Sequence, residues 1–221
     1  ALRLAIAAIV LLPIVLGMRR DELARLTQRD WMLAAGAGAF LALHFASWIL
    51  SLEYTSVASS VALVTTNPIW IGLGSWLFLR EQISARMLIA IGMALAGSAV
   101  IFLADENVAT VFAPQPVLGN ALAIVGSLAM CGYLLLGRKL RAGMTLLAYI
   151  GVVYAVAAVF LVATAMAYAA PLLTISATAW LLVLALALGP QLLGHTAFNW
   201  SLKHFPATVV AVAILGEPIG S

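Results

Sequence analysis

SLEYTSVASSVALVTTNPIWIG, Ser51 to Gly72, has a near copy 150 residues later in SLKHFPATVVAVAILGEPIGS, Ser201 to Ser221. Laid over one another without a gap, Ser51-Leu52 falls on Ser201-Leu202 and Asn67-Pro68 falls on Glu217-Pro218. Each copy sets a polar residue and a proline inside an apolar run. The meaning of the pair depends on two things: whether the chain lies in a membrane, and whether the copies cross it in the same direction.

Composition answers the first. The 221 residues are 65% hydrophobic and 9% charged, against about 25% charged in soluble domains, and the mean hydropathy is +1.13. A soluble domain of this length has too little interior to hide so much apolar surface. Successive runs approach the ~20 residues that cross a bilayer as helix: Ala1–Gly17, Trp31–Leu52, Thr55–Leu79, Met87–Ala104, Val117–Gly137, Thr145–Ala169 and Trp180–Leu202. An eighth starts near Pro206 and is still running at Ser221. They read as helices, because lipid offers no partners to open backbone groups, and none shows the period-2 alternation of a barrel strand. Both ends look cut, so the sequence is expected to be a fragment. The first run is no signal peptide by pattern, since Arg19-Arg20 follow it instead of preceding it. The single Cys131 has no disulfide partner and no metal-ligand spacing, and reads as a small packed residue.

Charge placement answers the second. Lys and Arg gather in cytoplasmic loops. The loop after the first run holds Arg19, Arg20, Arg25 and Arg29, and the turn at Glu53-Tyr54 holds none. Arg80 and Arg86 follow the third run, none lies in 105–116, and Arg138, Lys139 and Arg141 follow the fifth. None lies in 171–179, and Lys203 closes the series. Ten of the eleven bases thus fall in alternate loops, so the pI near 9.4 reports orientation and not nucleic-acid binding. Basic loops are expected to be cytoplasmic, in an inner or plasma membrane. Glu53-Tyr54 is then outside and its copy Lys203-His204 inside, so the copies cross in opposite directions. Five helices separate Trp31 from its counterpart Trp180, which implies two inverted five-helix repeats. The expected division is 1–104 and 117–221, joined by an external linker over 105–116. Paired spans interrupted at matching places in inverted halves point to a transporter's substrate site near the midplane.

These residues resemble the drug/metabolite transporter superfamily, specifically its EamA-type ten-helix members. The resemblance is carried by LRL (Leu2 to Leu4), Ser51 to Pro68, LREQIS (Leu79 to Ser84), IGMALAGSAVIF (Ile91 to Phe102) and GEPIG (Gly216 to Gly220). It implies an all-α polytopic bundle, with about eight of ten helices in this sequence and the first helix and C-terminal end missing. It also implies secondary transport of amino acids, other metabolites, nucleotide sugars or drugs around a central cavity, without fixing which. The expected partners are a small-molecule substrate, the lipid bilayer and protons as coupling ion; no cofactor or metal is expected.

Nine residues are candidates for substrate binding or coupling. Glu217 lies about 11 residues, or ~17 Å of helix, beyond Pro206, near the midplane. An intramembrane acid there is a functional candidate; the other reading is a neutral carboxyl bonded to a neighbouring helix. The resemblance tempers the first reading, because its members carry this Glu-Pro pair whether or not they are proton-coupled. Asn67 is its counterpart, and with Thr65 and Thr66 it sits where Pro68 frees a carbonyl, so it either repairs the kink or reaches substrate. Trp70 either stacks on a ligand or faces lipid. Gln191, His195 and Asn199 recur every four residues and should share one helix face, lining a wet cavity or making interhelical hydrogen bonds. His44 begins a similar stripe with Ser47 and Ser51, with Trp48 one turn on. Both histidines are of a type that titrates near neutrality, or else serve structure. Arg3, the one base outside the inner loops, pairs with an anionic group or snorkels to headgroups.

Other features read as structural. Gly92, Ala96 and Gly97 form a small-residue face for close packing, Arg80-Glu81 mark a helix end, and Trp31 and Trp180 fit interface belts. An intramembrane enzyme is disfavoured: HFASW (His44 to Trp48) is not H-E-x-x-H, no G-x-S-x-G occurs, and Glu217 has no second acid in a span. A passive channel or a non-transporting scaffold is the alternative to a carrier.

Overall fold

The structure, a computed structural model, describes the backbone of residues 1–109, 114–170 and 172–216, and their side chains except at 94, 98 and 101–109. Every regular element among these residues is helical. In chain order they are α1 (Leu2–Met18), α2 (Arg20–Ala24), α3 (Gln28–Ser51), α4 (Val57–Val64) and α5 (Asn67–Gly74), which runs into a π-helical turn, Ser75–Leu79. Then come α6 (Ala85–Ala109), α7 (Pro116–Arg141), α8 (Leu146–Ala167) and α9 (Ala177–Leu186). A π-helical stretch, Ala187–His195, leads into α10 (Thr196–His204), and α11 (Ala207–Ile214) follows.

Each apolar run read from the sequence is thus helical where it is described. Among the described residues, five stretches are long and apolar enough to cross a membrane: Gln28–Ser51, Val57–Leu79, Pro116–Arg141, Leu146–Ala167 and Ala177–His204. Leu2–Met18 and Ala85–Gly97 are shorter apolar helices; 17 residues span ~26 Å, a little under a bilayer's ~30 Å of hydrocarbon. The chain is an integral membrane protein. In the first of the echoed segments α4 ends at Val64 and Thr65-Thr66 form a turn, while in the second α11 runs to Ile214, two residues before the described residues end. In the first copy the next residues, Asn67-Pro68, open α5, where proline's missing N–H costs nothing.

Capping sets where several helices start. Thr27 and Asp30 bond reciprocally at the head of α3, Thr27 N to Asp30 Oδ2 at 3.0 Å and Asp30 N to Thr27 Oγ1 at 3.2 Å. Ser56 and Ser176 accept from the amides of Ser59 and Ala179 to start α4 and α9. Short α2, which the apolar pattern did not show, delivers Glu22 to the head of α8. There its two carboxylate oxygens accept from Thr145 N and Thr145 Oγ1, both at 2.7 Å. Arg80 closes the first π-helical turn in a left-handed conformation, φ 55°, in keeping with its reading as a helix end.

The helices form two compact units, each built from two separate stretches of the chain. One comprises Ala1–Ala42 and Leu136–His204, the other Leu43–Leu135 and the residues from Phe205. In the first, α1 packs along α8, burying Leu4, Ala7 and Val15 with Tyr149, Val153, Tyr154 and Ala157. Arginines at the end of α7 hold α10: Arg138 donates to the carbonyls of Leu202 (2.7 Å) and Lys203 (3.3 Å), and buried Arg141 donates to those of Asn199 (3.0 Å) and Met144. In the second unit, α11 packs on α5 and α6, and α4 on α6. Its core includes Phe45, Ile71, Tyr133, Leu134, Val210 and Ala211. Cys131 is buried there, as expected of a small packed residue.

The small-residue face expected on α6 is not where helices approach closely. Among the described residues a methyl built on Gly92 or Gly97 meets nothing within 4 Å, and Ala96 is exposed. Close approach occurs at Gly38, where a Cβ would lie 2.6 Å from Val156 Cβ and 2.9 Å from the Val153 carbonyl oxygen. Glycine spacing alone does not say which face meets a neighbour. Gly38→Ala should therefore lower thermal stability in detergent by about 1–3 kcal/mol, the usual range for overpacking, while Gly92→Ala leaves the melting temperature unchanged. Equal melting of both variants would contradict tight packing of α3 on α8.

Candidate functional site

In the first unit, polar side chains of the spanning helices converge on Tyr154. Its hydroxyl accepts from Asn199 Nδ2 at 3.2 Å and lies 3.5 Å from Thr196 Oγ1. Gln191 approaches the same hydroxyl, but its amide atoms fall outside hydrogen-bonding geometry. The field of Arg3, near the start of α1, also reaches it. Gln191, Asn199 and Tyr154 are fully buried, and Arg3 is half-buried.

The expected Gln191–His195–Asn199 stripe is therefore modified. Ala187–His195 is π-helical and contains Pro190. Proline has no N–H to give, and i→i+5 bonding shifts the four-residue register. The two ends of the stripe meet at Tyr154. His195 is half-buried, its ring edge-on to Phe198 with centroids 6.1 Å apart. The sequence reading missed Tyr154 itself. Its signal was a phenol inside an apolar run, which needs a partner once buried.

In the second unit, the stripe His44, Ser47 and Ser51 is buried as expected. His44 Nδ1 lies 2.9 Å from the Gly126 carbonyl oxygen; a carbonyl only accepts, so this nitrogen carries the proton. Trp48 stacks on the His44 ring at 5.8 Å and 26°, and its buried indole N–H has no hydrogen-bond partner. Ser51 and Ser60 hydroxyls meet at 2.6 Å, and Thr66 and Ser127 at 3.2 Å.

At the helix break, repair and candidate site separate. Thr65 Oγ1 donates to the Val61 and Ala62 carbonyls (2.8 and 3.0 Å), and Thr66 Oγ1 donates to that of Leu63 at 2.7 Å. Trp70 Nε1 donates to Thr66 Oγ1 at 3.2 Å, so this indole is tied to the repair. Asn67 is 4% exposed, and its Oδ1 has no hydrogen-bond partner among the described residues. Two hydroxyls mend the break, and among the described residues the amide oxygen between them and the proline takes no part in it. Glu217 and Pro218 lie outside the described residues. Among the described residues no group of three or more His, Cys, Asp or Glu is placed to hold a metal.

Tyr154→Phe should cost about 1–3 kcal/mol, because it removes the buried hydroxyl that accepts from Asn199 Nδ2. Tyr168→Phe, at a residue 83% exposed, should cost nothing measurable. Thermal unfolding of the two variants in one detergent tests this.

Residues 1–103 match the EamA-like transporter family. Among solved structures, one described simply as the crystal structure of a protein aligns with a TM-score of 0.77 at 22% identity, covering 99% of this chain and 73% of its own. That likeness shows the fold. No curated protein matches.

Proposed function

From the match of residues 1–103 to the EamA-like transporter family, we propose that the chain is a secondary-active carrier of small metabolites, namely amino acids, other metabolites or drugs. The family match supports a transporter role. The observation that carries the finer reading is the break between α4 and α5 beside Asn67-Pro68, together with Glu217-Pro218 at the matching place of the echoed segment. Interrupted spans in inverted halves are what alternating access around a midplane cavity uses. The carrier has 1–104 and 117–221 as its repeats and sits in the cell membrane with its basic loops cytoplasmic.

In this reading Asn67 offers substrate an acceptor that the fold does not use. The groups around Tyr154, with Arg3, offer donors to an anionic substrate group. His44, Trp48, Trp70, Gln191, His195 and Asn199 line or support the path. Glu217 takes up and releases the coupling proton, a role open to an acid carried within a membrane span. None of these roles needs a nucleophile or a metal, so the chain is read as a carrier and not an enzyme.

Counterflow in proteoliposomes tests the reading, using a radiolabelled metabolite panel. A carrier accelerates entry of label when unlabelled substrate is trapped inside, whereas a channel shows no such acceleration. Asn67→Leu should keep its melting temperature and lower the transport rate roughly tenfold, about the loss of one hydrogen bond to substrate. Glu217→Gln should lose uptake driven by a pH gradient yet retain counterflow. Full proton-driven uptake by this variant removes Glu217 from coupling.

Orientation has its own check. In a Cys131→Ala background, a cysteine at Glu53 should react with a membrane-impermeant maleimide on intact cells, and one at Arg20 only after permeabilisation. The reverse pattern would invert the assignment.

A further inference from the structure

The first unit holds a cleft of about 530 Å³ at the ends of its helices, apart from the polar cluster at Tyr154. This volume is within the usual range for small-molecule sites. It is walled by α2, the first turns of α3 and the end of α7 with the loop beyond. Its charged lining is Glu22, Arg25, Arg29, Asp30 and Lys139.

The two acids are already engaged. Both oxygens of Glu22 accept from Thr145 at the head of α8. Asp30 accepts from the amide of Thr27 at 3.0 Å and from its hydroxyl at 2.6 Å. Arg25, Arg29 and Lys139 are exposed and enter no hydrogen bond or ion pair among the described residues. The uncommitted donors of the cleft are therefore all cationic: two guanidiniums and one ammonium.

We infer that this cleft binds a phosphate-bearing anion through Arg25, Arg29 and Lys139. Guanidinium forks match phosphate oxygens two at a time, and basic pockets at the ends of membrane helices suit anionic headgroups. A lipid is the favoured source. Leu26 and Leu33 share the cleft wall, and Trp31 and Met32, next along α3, are exposed apolar residues, at 42% and 68%. An amphiphile can lay its head in the cleft and its chains beside that surface.

Native mass spectrometry of the full chain in detergent tests this with phosphatidylglycerol and phosphatidylcholine of matched acyl chains. Selective retention of phosphatidylglycerol is expected. The triple variant R25Q/R29Q/K139Q should weaken its affinity roughly 100-fold, at about fivefold per basic residue, with an unchanged melting temperature in phosphatidylcholine alone. Should the triple variant misfold, exposed Lys139→Gln alone is expected to cost about fivefold. Millimolar inorganic phosphate distinguishes the sources. Failure to displace the lipid assigns the cleft to headgroups; displacement, with thermal stabilisation by phosphate alone, assigns the same chemistry to a soluble anion. Equal retention of the two lipids, with no stabilisation by phosphate, would overturn the proposal, as would unaltered phosphatidylglycerol binding by folded variants.

Discussion

Lipid has no hydrogen bonds to offer, so each polar group carried into the bilayer must find its partner within the protein. Most of the local structure described here answers that requirement. Helices close their own backbone, and the exceptions are helix ends and breaks. At those places the chain supplies side chains: Glu22 to the head of α8, Arg138 and Arg141 to carbonyls of α10, and Thr65 and Thr66 to the turn before Pro68. The arginine contacts also explain two basic residues that loop counting credits to orientation alone. Arg138 and Arg141 lie on the basic side and at the same time fasten one helix to another.

The same requirement identifies groups that the fold leaves over. A buried polar atom without a partner costs about 1–3 kcal/mol, so an unsatisfied one in a native interior needs an explanation. Among the described residues, Asn67 Oδ1 and the Gln191 amide have no such partner. Both sit at interruptions of spanning helices, one at a proline break and the other inside a π-helical stretch. Irregular backbone at membrane depth is tolerated where it lines a cavity or is buried in protein. An interruption and an unspent polar group in the same place is an arrangement that a substrate can complete.

The apolar runs were legible because hydropathy at bilayer length is a coarse, additive signal. The echo between Ser51–Gly72 and Ser201–Ser221 was legible as a sequence match, and in its first copy the helix breaks after Val64, just before Asn67-Pro68. Short α2 was not, because five residues rich in charge carry no periodicity. The small-residue face of α6 was misread: Gly92 and Gly97 touch nothing nearby, while Gly38 sits against α8. A glycine permits close approach without saying where a neighbour stands. Tyr154 was missed because a phenol within an apolar run scores as hydrophobic until its hydroxyl is seen to gather Asn199 and Thr196.

By itself, the sequence determined that this chain lives in a membrane as a bundle of helices, with a repeated, proline-broken segment in each part. Those properties follow from transfer free energy and helix chemistry, which act residue by residue along the chain. Only the tertiary structure decided which polar residues repair the fold and which remain available. Thr65, Thr66 and Asn67 are alike as a sequence, three small polar residues before a proline. Their difference lies in distance: two hydroxyls reach carbonyls one turn back, and the amide oxygen reaches no partner among the described residues. A hydrogen bond depends on positions within a few tenths of an ångström, and those are set by packing, not by composition.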